Sequence, residues 1–289
     1  MSWERVQQLD AVAMTQAVRA ASGVRLDVVG PCPGGEVGAA YVRWPDGHLA
    51  VLKWGPDARL ADLERGPLAI VDVLRSIGYP APGTELAVQV GSGIVTVHEL
   101  LPGTVIDHVD PDLLDQALAL NRLHAGALAG RPDIDPMKLY LTSDAGGFCL
   151  HEPLRQFSSR TAALDRWVRG IGASYPDQLG GSDAVHCDFH PANMLASQGR
   201  ITGVIDWNGA ARGDCRLDLV TMRFGVHGIG SDAEVIRKLD EVLDFFPTEL
   251  LLPAWAHMSL RMVDWAIRHF TAADVEHWLD LAERRAVRL

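Results

Sequence analysis

A run of polar residues between two apolar segments, at residues 184–207, constrains the fold of this chain more than any other feature. The stretch reads AVHCDFHPANMLASQGRITGVIDW. NML and ITGVID have the composition of strands, and the Gln-Gly dipeptide between them is a turn signal, so a β-hairpin is predicted. Folding would bring Asn193 and Asp206 to its open end, with Asp188 on a loop just before the first strand.

This arrangement would collect two carboxylates and an amide oxygen with almost no positive charge nearby in the sequence. Such a cluster is unfavourable unless a cation neutralises it, and hard oxygen ligands of this kind suit Mg²⁺. Zinc bound by His186, Cys187 and His190 is an alternative, but their spacing fits no common structural zinc site. The stretch therefore predicts a magnesium site.

The spacing of these residues also matches a known catalytic pattern. His186, Asp188 and Asn193 form H-x-D-x-x-x-x-N, and Asp206 follows Asp188 by eighteen residues. Protein kinases and their small-molecule relatives use a catalytic Asp, a magnesium-binding Asn and a second metal-binding Asp in this order. The segments VHCDFHPANML and ITGVIDWNGAARGDCRLDLV resemble the aminoglycoside phosphotransferase and choline kinase-like family. Cys215 stands where that family usually has proline.

The resemblance implies a role for each matching residue. Asp188 is the expected catalytic residue, which orients the acceptor hydroxyl and takes its proton. Asn193 and Asp206 are the expected magnesium ligands. His186 would pack and hydrogen-bond beneath the catalytic loop, and Asp218 would brace that loop by hydrogen bonding.

The resemblance covers most of the chain and is sharpest over residues 184–220, and it implies an α+β fold of the bilobal, protein kinase-like type. Residues 1–100 would form a small β-rich, nucleotide-binding lobe, with a hinge near 98–104. Residues 101–289 would form a larger α-helical lobe for catalysis and acceptor binding. The periodicity of the sequence agrees with this division.

Strand-like segments lie in the first third of the chain and helical ones beyond it. Strands are predicted within residues 24–54, where Pro-Asp-Gly-His indicates a hairpin, and within 84–100. Apolar spacing of three and four predicts helices at the N-terminus, at 58–78 with an interruption at Gly66-Pro67, at 111–129, 152–172 and 232–246, and at least two between 250 and 289.

A kinase also needs positive charge and backbone donors for the nucleotide phosphates. Lys53, one of three lysines, ends the apolar strand LAVLKW. The predicted hairpin brings it close to a loop whose glycines would let backbone N–H groups approach phosphate, namely Gly34, Gly35 and Gly38. An acid on the following helix should pair with Lys53, and Glu64 is the candidate.

The connector VTVHELLPGT resembles the hinge of the family, where adenine bonds to the backbone. The resemblance places these bonds at the Glu99 carbonyl and the Leu101 N–H. The expected cofactors are ATP or GTP, together with Mg²⁺.

Charge and composition limit the possible partners. The net charge of −11 argues against nucleic acid and is compatible with a cationic small molecule. The acceptor candidates in the C-terminal segment are Asp264, Trp265 and Glu276. We find neither a signal peptide nor a membrane span, and the four cysteines are widely separated, so a cytoplasmic monomer or homodimer is expected.

The sequence thus predicts a kinase that phosphorylates a hydroxyl on a small, cationic molecule. An antibiotic is the favoured acceptor, either an aminoglycoside or a peptide of the viomycin or capreomycin type. A metabolic kinase for choline, ethanolamine, an amino sugar or homoserine is the alternative. A pseudokinase that only binds ligands is disfavoured by the presence of Lys53, Asp188, Asn193 and Asp206, and a eukaryotic-type protein kinase by the lack of Asp-Phe-Gly.

Overall fold

The computed structural model describes residues 7–35 and 37–286 and divides the chain into two compact units. The β-rich unit runs to Gly103 and also includes Thr202–Asn208. The helical unit comprises Thr104–Ile201 and the residues from Gly209 onward. Residues 101–103 and 202–208, which the sequence analysis assigned to the second lobe, therefore belong to the first unit.

An antiparallel five-stranded sheet dominates the β-rich unit. Its spatial order is β1-β2-β3-β5-β4, and its strands are β1 (Asp27–Pro31), β2 (Ala39–Arg43), β3 (Leu49–Gly55), β4 (Thr84–Val90) and β5 (Gly93–Glu99). The predicted hairpin joins β2 to β3, with the Trp44 N–H donating to the His48 carbonyl at 3.0 Å. Alternate residues such as Val42, Leu52 and Val97 are fully buried, as the period of a strand requires.

One helix precedes the sheet in the sequence, and a helical segment lies between β3 and β4. Helix α1 (Ala11–Ser22) begins at Asp10, whose carboxylate accepts from the Ala13 N–H at 3.0 Å. Its Val18 joins the core of the sheet. The helical segment predicted over 58–78 comprises α2 (Leu60–Leu63), a π-helical turn (Glu64–Leu68) and α3 (Ala69–Ser76), and the predicted interruption at Gly66-Pro67 lies in the π turn. Pro67 lies inside the π turn, because its missing N–H cannot continue the α-helical hydrogen bonds.

The helical unit begins with two short strands, β6 (Thr104–Val105) and β7 (His108–Val109), and continues with α4 (Pro111–Arg122). The helix predicted over 111–129 thus ends earlier, in turns. The helix predicted over 152–172 is two helices, α5 (His151–Phe157) and α6 (Ser159–Ser174), divided at Ser158. Ser158 and Thr161 form a capping box that starts α6.

The stretch at 184–207 contributes three strands, β8 (Asp183–Val185), β9 (Met194–Ser197) and β10 (Arg200–Val204). Strands β9 and β10 are neighbours in one sheet, so the predicted hairpin is present. Strand β11 (Ala211–Gly213) pairs with β8. Helix α7 (Arg216–Gly228), which the sequence analysis did not predict, and strand β12 (Gly230–Ser231) follow.

The remaining helices are α8 (Ala233–Asp244), α9 (Thr248–His269) and α10 (Ala272–Ala286). Trp255 of α9 is 1% exposed, packs against Phe224 of α7, and donates its indole N–H to the Ala282 carbonyl of α10 at 2.9 Å. Among the described residues, no helix has the length and apolar content needed to span a membrane. The α+β class, with an antiparallel β-sheet first and helices after it, is confirmed.

Candidate active site

Asp188 lies on a loop between β8 and a short 3-10 turn, Pro191–Asn193. Its Oδ1 lies 2.9 Å from Nη2 of Arg261 and 3.2 Å from Nε2 of His190, and its Oδ2 accepts from the Asn193 amide at 3.0 Å. Burial raises the pKa of this carboxyl, but Arg261 and His190 outweigh it and hold the pKa well below its usual range. Asp188 is therefore an ionised acceptor at neutral pH.

Asn193 is oriented by the same loop. Its Nδ2 donates to the backbone carbonyl of Asp188 at 2.9 Å and to the Asp188 carboxylate at 3.0 Å. With the amide nitrogen engaged in this way, the amide oxygen has no hydrogen-bond donor recorded among the described residues. An amide oxygen that is free beside a carboxylate is chemically suited to a hard cation such as Mg²⁺.

The loop is held from beneath by the fully buried Asp218, near the start of α7. Its carboxylate accepts from the backbone N–H groups of His186 and Cys187 at 2.9 and 3.0 Å, and Nδ1 of the buried His124 lies 3.1 Å away. Nδ1 of His186 accepts from the Asp188 N–H at 3.2 Å. Cys187 has a φ of 66°, an unusual value for a residue other than glycine, which these bonds help to maintain.

Arg261 and His190 were not among the predicted site residues. Arg261 lies on α9, far from Asp188 in the sequence, and no motif marks it. His190 follows Asp188 by two positions, but the sequence analysis considered it only as a possible zinc ligand. The two histidines and Cys187 do not form a group able to hold one metal ion within the described chain, which leaves the zinc alternative unsupported.

Helix α7 supports the catalytic loop through a close approach at Gly225. A Cβ atom on Gly225 would lie 2.5 Å from Cβ of His190 and 2.9 Å from Cδ of Pro191. We expect Gly225→Ala to lower the free energy of unfolding by about 1–3 kcal/mol, because the loop must shift to admit the methyl group. Chemical denaturation and turnover measured together test this.

Gly170 on α6 provides the control, since a Cβ there meets nothing within 4 Å. Gly170→Ala should leave turnover unchanged and raise stability by up to about 1 kcal/mol, as for an exposed position inside a helix. Equal effects of the two substitutions would contradict the tight packing at Gly225.

In the β-rich unit, Lys53 and Asp206 form an ion pair. Nζ of Lys53 lies 3.2 Å from Oδ1 of Asp206, although the two are far apart in the sequence. Asp206 has a left-handed φ of 68°, which is strained for a side chain other than glycine. Strained residues of this kind concentrate at functional sites. That Asp206 also joins Asp188 and Asn193 around one metal ion stays a prediction.

His98 lies on β5 close to this pair and was not predicted. Its Nε2 lies 2.9 Å from the Thr96 hydroxyl and its Nδ1 lies 3.2 Å from the Thr84 hydroxyl. Burial and the positive charge of Lys53 lower the pKa of His98 to about 4. The imidazole is therefore neutral at physiological pH, and Lys53 supplies the positive charge here.

Glu64 does not pair with Lys53 within the described residues. It is exposed at the start of the π turn, whereas the recorded ion pair of Lys53 is with Asp206. Glu64 is the first residue of the π turn that contains Pro67, where the regular α-helical spacing ends.

In the connector at the end of β5, the Glu99 side chain makes structural contacts and the Leu101 backbone N–H is available as a hydrogen-bond donor. The Glu99 carboxylate pairs with Arg75 at 2.8 Å and accepts from the Gly83 N–H at 3.1 Å. The Leu101 N–H has no recorded hydrogen-bond partner in the described part of the chain. A free backbone donor of this kind is what adenine recognition at a hinge requires, although the assignment stays a prediction.

The glycine loop between β1 and β2 adopts a backbone that favours glycine. Gly34, Gly35 and Gly38 have φ values of 80°, 81° and 86°. Beside it, the Leu9 N–H donates to the Val37 carbonyl at 2.8 Å, so the chain before α1 anchors the loop. Glu36, within the same motif, lies outside the described residues.

The three predicted acceptor residues lie in different settings. Asp264 is fully buried, accepts from the Leu150 N–H at 3.1 Å and pairs with Arg268 at 2.8 Å, so it is not available to an acceptor. Glu276 is engaged by Arg160 on the outside of the helices. Trp265, half-buried, stacks on His269 with ring centroids 3.9 Å apart. The structure does not bring these three together.

Comparisons with known proteins identify the family. The model of the phosphotransferase enzyme family (APH) matches residues 30–243. No curated protein sequence matches the chain significantly.

Similar solved structures share the fold at low identity. A thermostable mutant of aminoglycoside phosphotransferase APH(4)-Ia, bound to AMP-PNP and hygromycin B, has a TM-score of 0.69 at 16% sequence identity. The alignment covers 96% of this chain and 100% of the mutant. Macrolide 2'-phosphotransferase MphH from Brachybacterium faecium has a TM-score of 0.52 at 20% identity, covering 94% and 98%.

A protein from Thermobifida fusca proposed to be a fructosamine-3-kinase has a TM-score of 0.61 at 17% identity, covering 97% of this chain and 100% of its own. All three likenesses concern the fold, which is that of kinase-like phosphotransferases. The family match over most of the sequence confirms the predicted enzyme class, and this chain belongs to the phosphotransferase enzyme family.

Proposed function

We propose that the protein is a nucleotide- and Mg²⁺-dependent O-phosphotransferase that acts on a hydroxyl of a small molecule. The observation that carries this proposal is the ionised Asp188 carboxylate on its short loop. Two residues of that loop, His190 and Asn193, and Arg261 of α9 hold it in place. A carboxylate fixed in this way can bind an acceptor hydroxyl and accept its proton as the oxygen attacks phosphorus.

The other site residues supply binding and orientation. Lys53 places an ammonium where nucleotide phosphates would bind, and the glycine loop offers backbone N–H groups to the same anion. Asn193 and Asp206 have the oxygen donors suited to Mg²⁺, which would neutralise charge on the phosphates when bound. ATP and GTP are both open as the phosphoryl donor.

The favoured acceptor is an antibiotic, either an aminoglycoside or a cationic peptide of the viomycin or capreomycin type. Support comes from the similar structures, one of them bound to hygromycin B and another a macrolide 2'-phosphotransferase. The net charge of −11 is compatible with a cation. Because Asp264 and Glu276 are engaged by arginines, the acidic groups for such a cation must come from elsewhere in the chain.

A metabolic kinase is the second candidate. The likeness to the protein proposed to be a fructosamine-3-kinase favours it, since that acceptor is a modified sugar amine and not an antibiotic. Choline, ethanolamine, amino sugars and homoserine belong in the same test.

One experiment separates these candidates. Purified protein with MgATP or MgGTP is incubated with a panel of aminoglycosides, peptide antibiotics, macrolides and amino alcohols, and the product is examined by mass for one added phosphate. A phosphorylated antibiotic supports the first candidate and a phosphorylated metabolite the second. Nucleotide binding without transfer to any member would favour the pseudokinase alternative.

A further inference from the structure

We propose that Arg261 is a positioning residue of the phosphotransfer reaction, which determines the oxygen of Asp188 that receives the acceptor hydroxyl. The inference rests on the proposed function, in which Asp188 binds that hydroxyl. It deepens the proposal by assigning a role to a side chain from α9, outside the catalytic motif.

Arg261 contacts both the peptide and the carboxylate of the catalytic loop. Its Nη1 donates to the Cys187 carbonyl at 2.5 Å, and its Nη2 donates to Oδ1 of Asp188 at 2.9 Å. Because the guanidinium is planar, its two bonds fix the carboxylate relative to the preceding peptide. A lysine could make one of these contacts at a time.

The hydrogen bonds of Asp188 leave one acceptor position open among the described residues. An ionised carboxylate has about two lone pairs on each oxygen. Arg261 and His190 both lie within hydrogen-bond distance of Oδ1, whereas Oδ2 receives only the Asn193 amide. The remaining lone pair is on Oδ2. The acceptor hydroxyl therefore binds there, beside Asn193.

Arg261 binds the carbonyl of Cys187, the residue of the loop that has a strained backbone conformation. Cys187 has its left-handed φ of 66° while Asp218 accepts from its N–H and Arg261 donates to its carbonyl. A residue keeps such a conformation only when several contacts with its surroundings hold it there. Loss of Arg261 would free the carbonyl side and allow the Asp188 carboxylate to rotate.

Helix α9 provides a rigid base for Arg261. His257, one turn earlier and fully buried, lies with Nδ1 2.7 Å from the Leu139 carbonyl. Asp264, one turn later, accepts from the Leu150 N–H at 3.1 Å. These contacts fix the helix on both sides of Arg261, so the guanidinium is pre-organised for the loop.

The test compares Arg261→Ala and Arg261→Lys with Arg268→Ala. Arg268 is the matched control, because it pairs with a buried carboxylate on the same helix, whereas its hydrogen bonds within the described residues go to Asp264 and Gly147 and not to the catalytic loop. For Arg261→Ala we expect kcat to fall about 10–100-fold, in keeping with a small misplacement of a reacting group. The KM for the nucleotide should stay unchanged, Arg261→Lys should be intermediate, and added guanidinium should restore part of the activity of Arg261→Ala.

Hydrogen–deuterium exchange adds a measurement that needs no acceptor. Arg261→Ala should raise exchange in the peptide at 186–190, whereas Arg268→Ala should raise it near 147–150, where Arg268 donates to the Gly147 carbonyl. Exchange at 186–190 that equals the wild-type level in Arg261→Ala, or a wild-type kcat in that variant, overturns the inference. Asp188→Asn, assayed alongside, separates the two proposals: if it is fully active, the proposed function itself fails.

Discussion

Asp188→Asn should lower kcat by about 10²–10⁴-fold and leave nucleotide affinity nearly unchanged. An amide cannot take a proton from the acceptor hydroxyl. In the wild type, one carboxylate oxygen accepts from Arg261 and the other from Asn193. The NH₂ group of an asparagine would replace one of these oxygens in either orientation, so one of the two hydrogen bonds would be lost. Steady-state kinetics with the acceptor found in the panel, together with calorimetry of nucleotide binding, measures both quantities.

Asp115→Asn is the control for a change of charge away from the loop. Asp115 is a surface carboxylate on α4 that pairs with Lys238 at 2.6 Å, and exposed pairs of this type contribute about 0–1 kcal/mol. Its kcat should equal that of the wild type. Near-wild-type turnover in Asp188→Asn would remove Asp188 from the reaction and with it the central residue of the proposed mechanism.

The sequence predicts which residues of this loop lie close together, for a physical reason. Asp188 and Asn193 lie on one short loop, so their spacing alone limits how far apart they can be. The Asp218 carboxylate lies beneath the same loop, where two backbone N–H groups reach it. The β9–β10 hairpin that follows this loop also agrees with the strand-like composition of its segments and the Gln-Gly turn between them.

Contacts between distant segments could not be predicted in the same way. The half-buried Arg261 reaches Asp188 because α9 packs beside the loop, and helical periodicity does not show which residues of a helix face a particular loop. Asp264 was an acceptor candidate, but a charged residue in an apolar segment is equally typical of a buried ion pair, which it forms here with Arg268. Glu64 was the expected partner of Lys53, but the partner in the described residues is Asp206, from a segment far away in the sequence.

Asp206→Ala should abolish the Mg²⁺ dependence of nucleotide binding. The substitution removes the carboxylate that pairs with Lys53 at 3.2 Å and that is the expected metal ligand. Calorimetric titration of ATP, with Mg²⁺ and with EDTA in its place, should give different affinities for the wild type and equal ones for the variant. An unchanged effect of Mg²⁺ in Asp206→Ala would contradict the ligand role.

Asp206→Gly separates this chemical role from the strain in the backbone. Both variants lack the carboxylate, so both should lose the Mg²⁺ dependence, but glycine adopts the φ of 68° without the clash of a Cβ atom. We therefore expect Asp206→Gly to be more stable than Asp206→Ala by about 1 kcal/mol in denaturant unfolding. Equal stabilities would show that this conformation stores little strain. The expected difference would mean that the chain keeps a strained aspartate because its carboxylate is needed beside Lys53.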